Sequence, residues 1–100
     1  MITFIRTVTV QPGKMGETIT WQKELNATIK RVIGREMTLC ASFGGVVSAL
    51  AWIGQFDSVG QLEDATNKLM ANADYMTGIN KAGGLVVPAS GHDQIWRHLP

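Results

Sequence analysis

The segment VVSALAWIGQF, residues 46–56, has no polar side when read as a strand. Alternation sends Val47, Ala49, Ala51 and Ile53 to one face, and Val46, Leu50, Trp52 and Phe56 to the other. Both faces must be covered within a chain of 100 residues, which the length assigns to one domain spanning 1–100. A chain of that size buries roughly 60–65% of the surface its unfolded form exposes, so its core is thin. Charged residues make up 17% of the chain, against about 25% in an average soluble domain. That deficit implies surface hidden against another chain.

The remaining patterns supply an order of elements. Residues 2–10 alternate, with Ile2, Phe4, Val8 and Val10 sharing a face with Arg6 and a threonine-rich face opposite. Pro12 and Gly13 then break the strand. From Lys14 to Ile33 the period changes, and Met15, Ile19, Trp21, Leu25, Ile29, Val32 and Ile33 fall within an arc of about 160° of a helical wheel. Gly34 is the expected stop. REMTLCAS returns to period two, and Gly44–Gly45 reads as a tight hairpin leading into the 46–56 strand. Ser58 with Gln61 three residues later forms a capping-box pattern. The helix it opens is expected to pause at Asn72–Asp74, resume through Lys81 and end at Gly83–Gly84. LVVP is a short extended segment. HDQIWRHL alternates, setting Asp93, Ile95, Arg97 and Leu99 against His92, Gln94, Trp96 and His98.

Strand, helix, strand, strand, helix, strand is the ferredoxin-like βαββαβ order: an α+β fold with a four-stranded antiparallel sheet and two helices on one face. The helices cover one face only. An antiparallel sheet that meets water is polar on that side, and the 46–56 strand is not. A second copy packed sheet to sheet covers it and gives a homodimer. The alternative is a monomer with a few exposed apolar atoms.

This order resembles the NIPSNAP-like members of the dimeric α+β barrel superfamily, which also holds the antibiotic-biosynthesis-type monooxygenases. The residues that carry the likeness are F-D-S-x-x-Q-L-E-D-A from Phe56 and NADYMTGINKAGGLVVPASGHDQIWRHL from Asn72. The resemblance implies a dimeric α+β barrel, two four-stranded sheets facing each other with the helices outside. It implies no single activity, because the superfamily includes oxygenases, isomerases, haem-degrading enzymes and proteins with no assigned role.

Candidate ligand contacts come from residues that break their local pattern. Gln22 and Asn26, one turn apart, project inside the apolar arc of the first helix. Such amides either bond the sheet rim or meet a ligand in a cleft between helix and sheet. Haem-degrading relatives use a helix asparagine there together with a haem-ligating histidine, but no histidine lies between Met1 and Gly91. Asn26 therefore inherits no role from them, and no cofactor is expected. Arg6 interrupts the apolar face of the first strand, either to pair across the sheet, to meet an acidic ligand or to reach the rim. Trp21, Trp52 and Trp96 are candidates to line a cavity for a flat apolar molecule, although such spacing also describes ordinary core. His92 and His98 share a face about 20 Å apart and cannot jointly bind one metal ion within a chain, so no metal site is expected. Cys40 reads as a small buried apolar group.

Nine basic and eight acidic residues are spread along the chain, which disfavours a nucleic-acid partner. No apolar run reaches the roughly 18–20 residues that cross a bilayer, and MITFIRTVTV reads as a strand, not a signal peptide. With one cysteine, a reducing cytoplasm is the default. The expectation is a homodimeric barrel protein that binds a small apolar or aromatic molecule in a helix–sheet cleft. The alternative is a cofactor-independent monooxygenase of the antibiotic-biosynthesis type.

Overall fold

A computed structural model describes residues 1–100. Its elements are β1 (Ile2–Thr9), α1 (Met15–Ile33), β2 (Thr38–Ala41), β3 (Ala49–Phe56), α2 (Val59–Met70), α3 (Ala73–Asn80) and β4 (His92–Arg97). The strands form one antiparallel sheet in the order β2-β3-β1-β4. This is the expected α+β ferredoxin-like arrangement, with the second helix divided in two. No helix is long and apolar enough to cross a membrane.

The helix ends follow the expected chemistry. Gly34 closes α1 at φ 77°, and its N–H donates to the Lys30 carbonyl, a left-handed geometry that glycine adopts without steric cost. The Ser58 hydroxyl accepts from the Gln61 N–H to open α2. The Asn72 side chain accepts from the Tyr75 N–H to open α3, which is why the helix breaks there. Segment 85–87 runs beside the end of β1 through Gln11 N–H to Leu85 O and Val87 N–H to Thr9 O.

The hairpin differs from expectation. β3 begins at Ala49, and residues 42–48 form a loop instead of a tight turn. Ser42 closes it by accepting from the Ala49 N–H through its side chain and donating its own N–H to the Ala49 carbonyl. Gly45 and Ser48 both take positive φ, a bend that two strand residues cannot make. Val46 and Val47 are therefore exposed loop residues, as is Phe43, and the unbroken apolar strand is shorter than the sequence implied.

The helix-facing side of the sheet carries Ile2, Leu50, Trp52 and Phe56, which pack with Trp21, Leu25, Ile29, Met37 and Tyr75 into the core. Each such side chain contributes about 1.5–3 kcal/mol on burial. Two amides fix α1 to this surface. Gln22 Nε2 donates to Ala51 O at 2.9 Å. Asn26 Nδ2 donates to Met37 O at 2.9 Å, while its Oδ1 accepts from Met37 N–H at 3.0 Å. Asn26 thus acts as one more rung of strand pairing, satisfying both main-chain groups of the buried residue that leads into β2. Trp21 Nε1 donates to Gly78 O at 2.8 Å. A Cβ at Gly78 would meet Leu25 Cδ1 at 2.9 Å, so α1 and α3 approach closely only because this position is glycine.

An Asn26→Ala variant leaves a buried N–H and a buried C=O of Met37 without partners. Each lost partner costs about 1–3 kcal/mol, so chemical denaturation is expected to find the variant less stable by about 2–6 kcal/mol. Unchanged stability would mean the clamp does not hold α1.

Candidate functional site

α2 has a clear apolar stripe yet no buried residue. Its Leu62, Ala65 and Leu69 face the sheet but stay half-exposed because a cleft lies beneath them. The cleft has a volume of about 340 Å³ and is bounded by the sheet, α1, α2 and α3. Seventeen of its nineteen lining residues are hydrophobic, which is the character of a small-molecule site and falls within the usual range of about 300–1,000 Å³.

Two indoles form part of its wall. Trp21 and Trp52 meet edge to face, with centroids 5.7 Å apart and planes at 86°. Trp52 is 5% exposed, and its Nε1 is the one buried side-chain polar atom with no hydrogen-bond partner. Leaving such a donor unpaired costs about 1–3 kcal/mol.

The polar groups gather at one edge. Arg6 lines the cleft and faces Asp93 across the β1–β4 pairing. Its Nε donates to Asp93 Oδ1 at 2.7 Å and its Nη2 to Oδ2 at 2.8 Å, a bidentate pair. The guanidinium carbon lies 5.4 Å from the Phe4 ring centroid. Arg6 and Asp93 remain 43% and 44% exposed, and Ile95, on the same side of β4, is 52% exposed. The cleft therefore opens towards β4, which no helix covers. The bond from Arg6 holds the Asp93 carboxyl below the usual carboxylate range, with His92 adding to the effect. Burial pushes the Tyr75 hydroxyl up, against the opposing charge of Arg6.

The four expected ligand contacts separate into two pairs. Arg6 and Trp52 line the cleft; Gln22 and Asn26 do not. The amides are buried as expected, but main-chain partners occupy them, so the reading in which they bond the sheet is the one observed. Trp21 joins the cleft, whereas Trp96 lies on the helix-free face and is 60% exposed. Cys40 is exposed, not buried, because β2 is an edge strand and its pairing with Ala51 turns Cys40 to the helix-free side. No three His, Cys, Asp or Glu side chains converge. Tyr75 and Asp93 were not anticipated as site residues. For Asp93 a signal existed: Arg6 and Asp93 each interrupt an apolar alternation, and the two strands are neighbours in the sheet.

Comparisons with known proteins agree on the fold. No family profile matches the chain, and no curated protein matches it. Among solved structures, a NIPSNAP family protein from Agrobacterium tumefaciens superposes with a TM-score of 0.82 at 18% identity, over 98% of this chain and 85% of that one. An uncharacterized NIPSNAP-like domain protein from Burkholderia xenovorans gives 0.81 at 16% identity, over 98% and 84%. A putative antibiotic biosynthesis monooxygenase from Nitrosomonas europaea gives 0.74 at 12% identity, over the whole of both chains. The chain has the fold shared by NIPSNAP proteins and antibiotic biosynthesis monooxygenases.

The Arg6–Asp93 pair makes an acid-side prediction. Because the folded Asp93 carboxyl titrates below its unfolded range, its contribution to stability is fully present above that range. It is lost as pH falls through the folded value. A carboxyl-detected NMR titration is expected to find Asp93 still ionised when ordinary carboxylates near about 3.9 are half protonated. In Asp93→Asn the corresponding part of the acid-side stability loss disappears. An ordinary Asp93 titration would contradict the pairing.

Proposed function

We propose that this protein is a homodimer that binds a small apolar or aromatic molecule in the cleft beneath α1, α2 and α3. The observation that carries the binding reading is the cleft itself: an apolar volume with Arg6, paired to Asp93, at its open edge. An α2 with an apolar stripe and no buried residue supports it, because a ligand supplies the contacts that this helix lacks.

The dimer reading is supported by the helix-free face. It carries Thr3, Ile5, Thr7, Thr9, Ala49, Ala51, Ile53 and Trp96, with Thr38, Cys40, Gln55, His92 and Gln94 around them, and not one Lys, Arg, Asp or Glu. A water-facing sheet of this size normally carries charge. Small, flat residues at its centre suit close approach of a second sheet. Sedimentation equilibrium at micromolar concentration is expected to give twice the chain mass, and Ile53→Asp, which places a charge on that face, is expected to give single chains. Single chains from the unaltered protein would overturn the dimer. The exposed, unpaired Cys40 suits a reducing compartment such as the cytoplasm.

The binding reading is tested with N-phenyl-1-naphthylamine, a neutral apolar dye that brightens in dry surroundings. Saturable enhancement at one dye per chain is expected, with quenching of tryptophan emission. Ala65→Phe fills the cleft from α2 and is expected to weaken dye binding at least about tenfold while the chain keeps its thermal stability. Unsaturable enhancement, or equal binding by the variant, would overturn the site.

The shared fold and a cleft suited to a flat molecule support a second reading, a cofactor-independent monooxygenase of the antibiotic-biosynthesis type. It predicts oxygen uptake with a flat phenolic substrate and no added metal or flavin. Ligand binding without oxygen uptake would favour the first reading.

A further inference from the structure

Building on the cleft as a ligand site, we propose that it selects neutral apolar molecules carrying one hydrogen-bond acceptor oxygen, as in an aryl ketone. Asp93 enforces that neutrality by cancelling the charge of Arg6.

Arg6 is an expensive choice for its position. It sits among Phe4 and Val8 on the core side of β1, where an apolar residue would pack without a partner. Its pair with Asp93 is half-exposed, and pairs of that kind contribute little to stability. Stability is therefore a weak reason for either residue, and what the pair does at the cleft edge is the better one. Asp93 occupies Nε and Nη2, fixing the guanidinium plane. Nη1 is left out of that pair, with the Tyr75 hydroxyl beside the guanidinium.

The unengaged polar groups around the cleft share a chemistry. Arg6 Nη1 only donates. Tyr75 adds a hydroxyl whose proton is retained, since burial holds its titration above the ordinary range. Thr66 is committed to the Leu62 carbonyl. A ligand that meets Arg6 Nη1 needs an acceptor, and the Tyr75 hydroxyl can donate to the same oxygen. The charge it carries is constrained separately. Arg6 is the only charged residue lining the cleft, and Asp93 already neutralises it. An incoming carboxylate would meet no net positive charge and would approach the Asp93 carboxylate, a like-charge contact that acts as a filter. A carbonyl oxygen accepts from the same donors without that cost.

The test displaces N-phenyl-1-naphthylamine from the full chain with three molecules on one ring scaffold. These are 2-acetylnaphthalene (acceptor, neutral), 2-ethylnaphthalene (no acceptor) and 2-naphthoate (acceptor, anionic). 2-Acetylnaphthalene is expected to bind at least about tenfold tighter than either of the others, the worth of one hydrogen bond to a charged donor. Asp93→Asn leaves Arg6 uncompensated, and is expected to move the ketone-to-carboxylate ratio at least about tenfold towards 2-naphthoate. The pair is half-exposed, so the variant should fold; if it does not, the rank order in the unaltered protein decides alone. Equal displacement by all three, or a preference for 2-naphthoate in the unaltered protein, would overturn the selectivity while leaving the cleft a ligand site. Failure of the dye and all three molecules to bind would overturn the site itself, and the selectivity with it.

Discussion

The height of α1 above the sheet governs everything else in this fold. Hydrophobic contact alone sets such a distance loosely, because it has no direction. Here directional bonds set it: Gln22 to Ala51 in β3 and Asn26 to Met37, the residue leading into β2, while Trp21 to Gly78 ties α3 to α1. Buried amides of this kind are costly unless satisfied and rigid once they are. At that height α1 meets Trp52 through Trp21, edge to face, and α3 follows α1 through the close approach at Gly78. α2 touches the core through Leu62, Ala65 and Leu69 without burying any of them fully. The cleft is a consequence of the clamp.

The two faces of the sheet are built for different tasks. The helix side mixes large apolar residues with one fixed ion pair, and its apolar floor runs from Trp52 to the open edge at Arg6 and Asp93. The free side is flat and uncharged, made of threonines from β1 and alanines from β3, with Ile5 and Ile53 between them. A flat, uncharged surface is poor at binding a small molecule and well suited to another flat surface. The loop at residues 42–48 adds exposed Phe43, Val46 and Val47 at the end of the β2–β3 pair.

Much of the fold is legible in the sequence because local chemistry and global packing agree. Gly34, Ser58 and Asn72 mark helix boundaries by mechanisms that act within a few residues, and the period changes at Lys14 and Arg35 mark the passage between helix and strand. The hairpin was less legible. Val46 and Val47 look like strand residues in isolation, and only the positive φ at Gly45 and Ser48 reveals the loop. The site was legible in part. Pattern-breaking residues are visible in a sequence, but whether a break finds a main-chain partner or faces a cavity depends on long-range contacts. Gln22 and Asn26 broke the pattern to bond the backbone, while Arg6 broke it to sit at the cleft edge. Tyr75 breaks nothing, since an aromatic at the start of a helix is ordinary, and its role emerges only when α3 is laid beside β1.

A permanent apolar cleft is what the clamp requires, and crystal diffraction under xenon pressure tests it most directly, since xenon binds in apolar cavities. Xenon density is expected between Trp52 and the inner side of α2, with the Gln22 and Asn26 bonds intact. A structure with no xenon there, and with Leu62 and Leu69 fully buried over Trp52, would contradict the claim that the clamp on α1 keeps the cleft open.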